Sequence, residues 1–232
     1  MSGHEEGGGH GHGHGHGHGG HGQGHGHGHG KQGDGPARDR HGNPEDLAAY
    51  LAKLEDPARV AWQKPDEVVV ALGLSPGGVA CDVGVGPGYF ALRMARAVGP
   101  GGRVHAIDAE PRMLELLRSR AAEAGLANVY PLLATDGQAV PPEPVDVILV
   151  VNTFHHFPDG PAYLRTLAAR LRPGGRIVNV DFHAGELPVG PPPDHKVSRE
   201  DFLAAAARAG LAVAEERTFL PYQYLVALAP RP

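Results

Sequence analysis

Residues 81–90 read CDVGVGPGYF, with glycines at 84, 86 and 88 behind Asp82. A strand that runs into alternating glycines makes a tight turn and lets a ligand approach the backbone. The spacing separates two nucleotide chemistries. In the dinucleotide fingerprint G-x-G-x-x-G the third glycine falls three positions after the second. That position here is Tyr89, and the third glycine comes one residue early at Gly88. Pro87 also removes an amide that could have faced a pyrophosphate. A nicotinamide-dependent oxidoreductase is disfavoured on this spacing.

Outward from the turn, short apolar runs alternate with helical stretches. Strands are expected near Val79–Val83, Arg103–Ile107, Asn128–Leu132, Asp146–Val151 and Arg176–Asp181. Helices are expected over Gly88–Val98, Pro111–Ala124, Gly160–Leu171 and Ser198–Ala209. The breaks GPGG (99–102) and RPGG (172–175) should each end a helix and turn into the next strand. Strands that read as nearly continuous apolar runs are buried on both faces, as in a parallel sheet covered by helices. LAVAEERTF and YQYLVAL, parted by Pro221 with no helix between them, predict an antiparallel hairpin. The expected fold is α/β: a Rossmann-like, doubly wound, mostly parallel seven-stranded sheet with an antiparallel C-terminal strand.

Three regions are expected. Residues 1–35 hold seventeen of the 35 glycines and ten of the sixteen histidines, with almost no apolar side chain. Such a segment cannot offset its conformational entropy by burial, so residues 1–43 are read as a disordered tail and linker. Residues 44–77 form a helical preface. It opens on Asn43-Pro44-Glu45-Asp46, a cap followed by proline and acids, with a first helix to about Glu55. PARVAW and PDEVVVALGL continue it. Residues 78–232 form the main domain.

Composition excludes several classes. A net charge of −5 with interspersed signs offers no basic stripe for nucleic acid. MSGHEE lacks the pattern of a secretory signal, and the apolar run Val145–Val151 is too short to span a bilayer. One cysteine, Cys81, forms neither an intramolecular disulfide nor a thiolate cluster. The expectation is a cytoplasmic monomer or small homo-oligomer without nucleic-acid or membrane partners.

Over about residues 65–228 the sequence resembles the class I S-adenosylmethionine-dependent methyltransferases. Asp82-x-Gly84-x-Gly86-x-Gly88 matches the first motif of that family, and HAIDAEPRM, LLATDGQAV, VDVILVVNTFHHF and LRPGGRIV follow in the family's order. The preface around AWQKPDEVVVALGL and the phrase LPYQYLVAL look like those of a bacterial subgroup (methyltransferase type 11-like) with no settled substrate. The resemblance implies S-adenosyl-L-methionine as cofactor and a small-molecule methyl acceptor. It implies that Asp82, Gly84, Gly86 and Gly88 surround the amino-acid end of the cofactor. Asp108 with Ala109 would take the ribose hydroxyls, Asp136 with Gly137 would face the adenine, and Asn152 would follow the fourth strand. A physical reason stands beside each acid: a sulfonium tolerates a nearby carboxylate, and two vicinal hydroxyls suit one carboxylate.

Methyl transfer requires alignment and dryness, and needs a base only when the nucleophile must lose a proton. His155, His156 and Asp181 are the candidate catalytic residues, since they follow the fourth and fifth strands; His183, His195, Tyr222 and Tyr224 are further candidates for the acceptor side. The opposing reading is that the paired histidines pack structurally against the cofactor. A metal pocket from His155, His156, His183 and His195 is a weaker option, because no tight ligand pair such as His-x3-His on a helix is present. His105, inside a strand, is read as structural. In the tail, His10, His12, His14, His16, His18, His25, His27 and His29 alternate with glycine and are candidate ligands for divalent nickel, copper or zinc. The alternative function is therefore a non-catalytic metal-binding or metal-buffering protein on a retained cofactor fold.

Overall fold

The computed structural model describes residues 46–135 and 139–231. Three short helices come first: α1 (Leu47–Leu54), α2 (Arg59–Gln63) and α3 (Pro65–Ala71). The first is capped by Asp46, whose Oδ1 accepts the Ala49 amide at 3.0 Å; the expected cap residue Asn43, with Pro44 and Glu45, lies outside the described residues. Pro65 opens α3 with Asp66 and Glu67 in its first turn, where negative charge meets the positive end of the helix dipole.

Then β1 (Val79–Val83), α4 (Ala91–Val98), β2 (Arg103–Asp108), α5 (Pro111–Glu123), β3 (Val129–Leu133) and β4 (Val145–Val151) alternate. They are followed by α6 (Gly160–Ala168), β5 (Leu171–Phe182), α7 (Arg199–Arg208), β6 (Leu211–Arg217) and β7 (Gln223–Pro230). The seven strands lie in the order β3-β2-β1-β4-β5-β7-β6. From β3 to β5 they are parallel, and β7 pairs antiparallel with both β5 and β6. The expected sheet and C-terminal hairpin are both present.

Alternation along the central strands builds two cores. Cys81 and Val83 of β1 with Ile148 and Val150 of β4 pack with Leu164 and Phe202 of α6 and α7. Ala80, Val147 and Leu149 turn the other way, onto Val68, Met94 and Leu117 of α3, α4 and α5. Every residue of β1 is buried because both of its faces are covered.

Two expected boundaries move. The fourth helix begins at Ala91 rather than Gly88, because Gly88 sits at φ +94°, outside helical space. RPGG is not a turn before β5 but a bulge inside it: Val145 pairs with Leu171 and Val147 with Arg176, so residues 172–175 bulge out and Gly174 takes φ +78°. No helix among the described residues is long and apolar enough to cross a membrane.

Candidate functional site

The strand order reverses between β1 and β4, and the carboxyl ends of β1, β2 and β4 converge there. Open α/β sheets bind ligands at such points. A cavity of ≈ 720 Å³ occupies the place. One side is the glycine turn from Asp82 to Pro87, and another is Ile107–Glu110 after β2. A third is Val151–Thr153 with His155–Pro158 after β4, and Tyr50, Leu54 and Arg59 of the preface also line it.

The glycines of the turn have separate reasons. Gly84 adopts φ +75°, and a Cβ there would collide with the side chain of Thr153. Glycine thus lets the β4 loop close onto the end of β1. Gly86 lines the cavity, and a Cβ on it would meet only Leu54, at 3.8 Å. Gly88 is different: it does not line the cavity, and its α-carbon backs onto Leu117 of α5 and Leu92 of α4. The structure gives Gly88 a packing place rather than a position facing a ligand.

Two carboxylates face this turn. Asp82 is 2% exposed, and the Ala91 amide at the start of α4 donates to it. Burial, and then the negative charge of Asp108, push its carboxyl up to about 7, against the pull of the Ala91 amide and Arg59. Asp108 ends β2. Its Oδ2 accepts the Gly86 amide at 2.7 Å and its Oδ1 the Glu110 amide at 2.9 Å. Burial raises its pKa too, although these amides favour the ionised form. Ala109 lies beside it in the lining. Asp136 and Gly137 lie outside the described residues; Ala134 and Thr135, just before them, line the cavity.

After β4, Asn152 adopts φ +51°, and its Oδ1 accepts Gln223 Nε2 of β7 at 2.8 Å. His155 lines the cavity with its Nδ1 3.9 Å from Oδ2 of Asp181. Both atoms are buried without a hydrogen-bond partner. Asp181 is 1% exposed and stands behind His155, outside the lining; its Oδ1 accepts the Phe182 amide at 2.8 Å. His156 is exposed, and its ring centroid is 4.0 Å from that of His155.

The remaining candidates scatter. His183 and His195 are exposed at the end of β5 and in a short turn at Pro193–His195. Among the described residues no group of three or more His, Cys, Asp or Glu could hold a metal, so the pocket of His155, His156, His183 and His195 is not formed. Tyr222 precedes β7, and Tyr224 is buried in the core against Phe202 rather than facing the cavity. His105 is buried with Nε2 3.0 Å from Glu143, which suits its expected structural place. The tail histidines 10, 12, 14, 16, 18, 25, 27 and 29 lie outside the described residues.

The sequence does not mark Arg59, Tyr89, Met113 and Tyr163, all of which line the cavity. Arg59 is the least expected. It is 8% exposed, lies over the Tyr89 ring at 4.1 Å, and donates from Nη1 to the Leu54 carbonyl at 2.7 Å and from Nε to Gln63. Burial lowers its pKa, and Tyr89, Tyr50 and Asp82 partly restore it. PARVAW gave no sign that its arginine turns inward.

A family model described as a methyltransferase domain matches residues 80–175. A solved S-adenosylmethionine-dependent methyltransferase from Aquifex aeolicus superposes with a TM-score of 0.72 and 28% identity, covering 78% of this chain and 96% of that one. Residues 80–175 match a methyltransferase domain, and the fold is that of a class I S-adenosylmethionine-dependent methyltransferase. Nocamycin O-methyltransferase of Saccharothrix syringae is 39% identical over 103 residues, covering 44% of this chain and 37% of that protein. A protein-L-isoaspartate O-methyltransferase of Ignicoccus hospitalis is 34% identical over 112 residues, covering 48% and 50%. The chain thus spans half or less of the length of these two curated relatives. The methyltransferase match takes in the glycine turn, Asp108 and the His155–His156 pair, and leaves Arg59, Asp181 and Gln223 outside it.

Proposed function

We propose that the protein binds S-adenosylmethionine in the cavity between β1, β2 and β4 and methylates a small-molecule acceptor. The observation that carries this reading is the placement of Asp82 and Asp108 on either side of a glycine turn in one cavity of ≈ 720 Å³. The residues present fit the cofactor. The turn leaves room against the backbone at Gly84 and Gly86, where a side chain at Gly84 would strike Thr153. Asp108 accepts the Gly86 and Glu110 amides, one on each oxygen, and its remaining acceptor capacity suits the ribose hydroxyls. Ile107, Met113 and Ala134 give that side an apolar surface suited to a planar base, with Asp136 and Gly137 proposed beside it. Asp82 supplies the negative charge that a cationic ligand favours, and Asn152 continues the wall after β4.

Bound there, S-adenosylmethionine supplies an electrophilic methyl group. The protein aligns the acceptor, excludes water and receives a proton where the acceptor has one to lose. His155 is the proposed acceptor of that proton, because it faces the cavity. Asp181 is a positioning residue: its buried charge faces Nδ1 and favours the imidazolium that forms. His156, exposed beside it, is proposed to shape the acceptor entrance. A net charge of −5 without a basic stripe supports a small molecule over nucleic acid.

Titration calorimetry with S-adenosylhomocysteine tests the cofactor assignment; absence of micromolar binding overturns it. Deleting residues 1–35 should leave that affinity unchanged, since the cavity-lining residues described lie between 50 and 163. Transfer of radiolabelled methyl to hydroxylated small molecules, compared with transfer to protein substrates, tests the acceptor class. Label found only on protein would overturn the small-molecule reading.

A further inference from the structure

Asn152 follows β4 at φ +51°, a left-handed conformation that asparagine tolerates better than most residues. Its amide donates to the Val180 carbonyl at 2.9 Å, and its Oδ1 accepts Gln223 Nε2 at 2.8 Å. Gln223 is a costly partner. It sits opposite Phe182 on β7, is 1% exposed, and its Oε1 is buried without a hydrogen-bond partner. An apolar side chain would fill that place without the desolvation cost. What the glutamine adds is an orientation for the Asn152 side chain. With the oxygen held toward β7, the end left for the cavity that Asn152 lines is Nδ2, a donor with no partner among the described residues.

His155, in the same loop and on the same cavity, has the complementary chemistry. Its Nδ1 is turned to Asp181, so Nε2 is the nitrogen left to take a proton. The wall after β4 therefore offers one hydrogen-bond donor and one proton acceptor. We infer that Asn152 and His155 select an oxygen nucleophile, so that the methyl acceptor is a hydroxyl compound, and that Gln223 is the positioning residue for this selection. A hydroxyl oxygen has two lone pairs and one proton. One lone pair attacks the methyl carbon while the carbon–sulfur bond breaks and its electron pair stays on sulfur, leaving a neutral thioether. The second lone pair accepts from Asn152 Nδ2, and the proton passes to His155 Nε2. An ether and an imidazolium result. A neutral amine has a single lone pair, which the attack consumes, so the Asn152 donor would be left unpaired. This inference rests on the methyl-transfer reading above.

The test gives the full chain S-adenosylmethionine labelled in the methyl group and a panel of aminophenols, amino alcohols, phenols and anilines. Aminophenols and amino alcohols offer both nucleophiles in one molecule, and mass spectrometry locates the label. Oxygen should be methylated at least about tenfold over nitrogen. Label on nitrogen or carbon instead overturns the inference and leaves the methyl-transfer reading standing; no label on any compound overturns both. Gln223→Met keeps the volume and removes the bond to Asn152. It should cut oxygen transfer by about tenfold and lower the oxygen-to-nitrogen ratio, with S-adenosylhomocysteine affinity within about twofold, which also shows that the variant is folded. Asn152→Asp suits the same φ but turns an acceptor toward the cavity. It should cut oxygen transfer by about 10- to 100-fold and nitrogen transfer by less. An unchanged oxygen-to-nitrogen ratio in both variants means a structural role and overturns the selection. Loss of S-adenosylhomocysteine affinity in Asn152→Asp would place Asn152 on the cofactor and overturn it as well.

Discussion

The amide of Gly86 donates to Oδ2 of Asp108 at 2.7 Å, which ties the glycine turn after β1 to the end of β2. One carboxylate thereby fixes the turn and keeps lone pairs directed at the cavity. Asp108→Ala removes both, and should lower S-adenosylhomocysteine affinity by about 2–4 kcal/mol, or roughly 30- to 1000-fold. Asp108→Asn, which still accepts one hydrogen bond, should lose less. Calorimetry on the two variants checks the order.

Asp82 predicts a pH dependence whose sign follows from its environment. Its carboxyl stands at about 7 against an ordinary 3.8, so the ligand-free protein holds a proton there that the unfolded chain has released. Between these values the folded state binds the extra proton, and ligand-free stability should fall as pH rises through that window. The Asp82 share is at most about 4 kcal/mol. A cationic ligand favours the ionised form, so cofactor affinity should rise with pH through about 7 and binding should release protons. Asp82→Asn should flatten both trends. Calorimetry in buffers of different ionisation enthalpy counts the protons released.

His155 faces the cavity and Asp181 faces His155, so the two should fail unequally. His155→Ala should reduce kcat by about 10²–10⁴-fold on an acceptor that must lose a proton. Asp181→Asn should cost less and spare KM, because it acts through the imidazole. S-Adenosylhomocysteine affinity should be unchanged in both. Loss of cofactor affinity in His155→Ala would instead support structural packing.

Gly84 and Gly88 belong to one motif but should behave differently when changed. Both hold positive φ, and alanine at either should cost about 1–3 kcal/mol in thermal unfolding. Gly84→Ala also drives the turn against Thr153 and should weaken cofactor binding. Gly88→Ala strains the contact with Leu117, and the folded fraction should bind as the wild type does. Equal loss of affinity in both would place Gly88 at the ligand.

Strand positions were legible because burial on both faces writes itself as continuous apolar runs, as in VACDV and VDVILVV. Boundaries were less legible where backbone strain decided them. Gly88 looked like the start of α4, but its left-handed φ excludes helix, and RPGG looked like a turn until pairing with Val145 drew Leu171 into the sheet. In the site, Asp82, Gly84, Gly86, Asp108, Ala109, Asn152, His155 and His156 could be placed on the cavity because each lies at or just after a strand's carboxyl end. Arg59 could not, since nothing local marks an arginine in a short helix as buried.

Local periodicity and the spacing of the glycine turn determined the architecture and the family resemblance, because strand burial and turn geometry act over a few residues. Only the tertiary structure decided which charges share the cavity. Arg59 reaches it from α2, Asp181 stands behind His155 from β5, and Gln223 reaches Asn152 from β7. Those meetings join segments up to 71 residues apart. They depend on how the preface and the C-terminal hairpin close around the sheet, which no short window of sequence encodes.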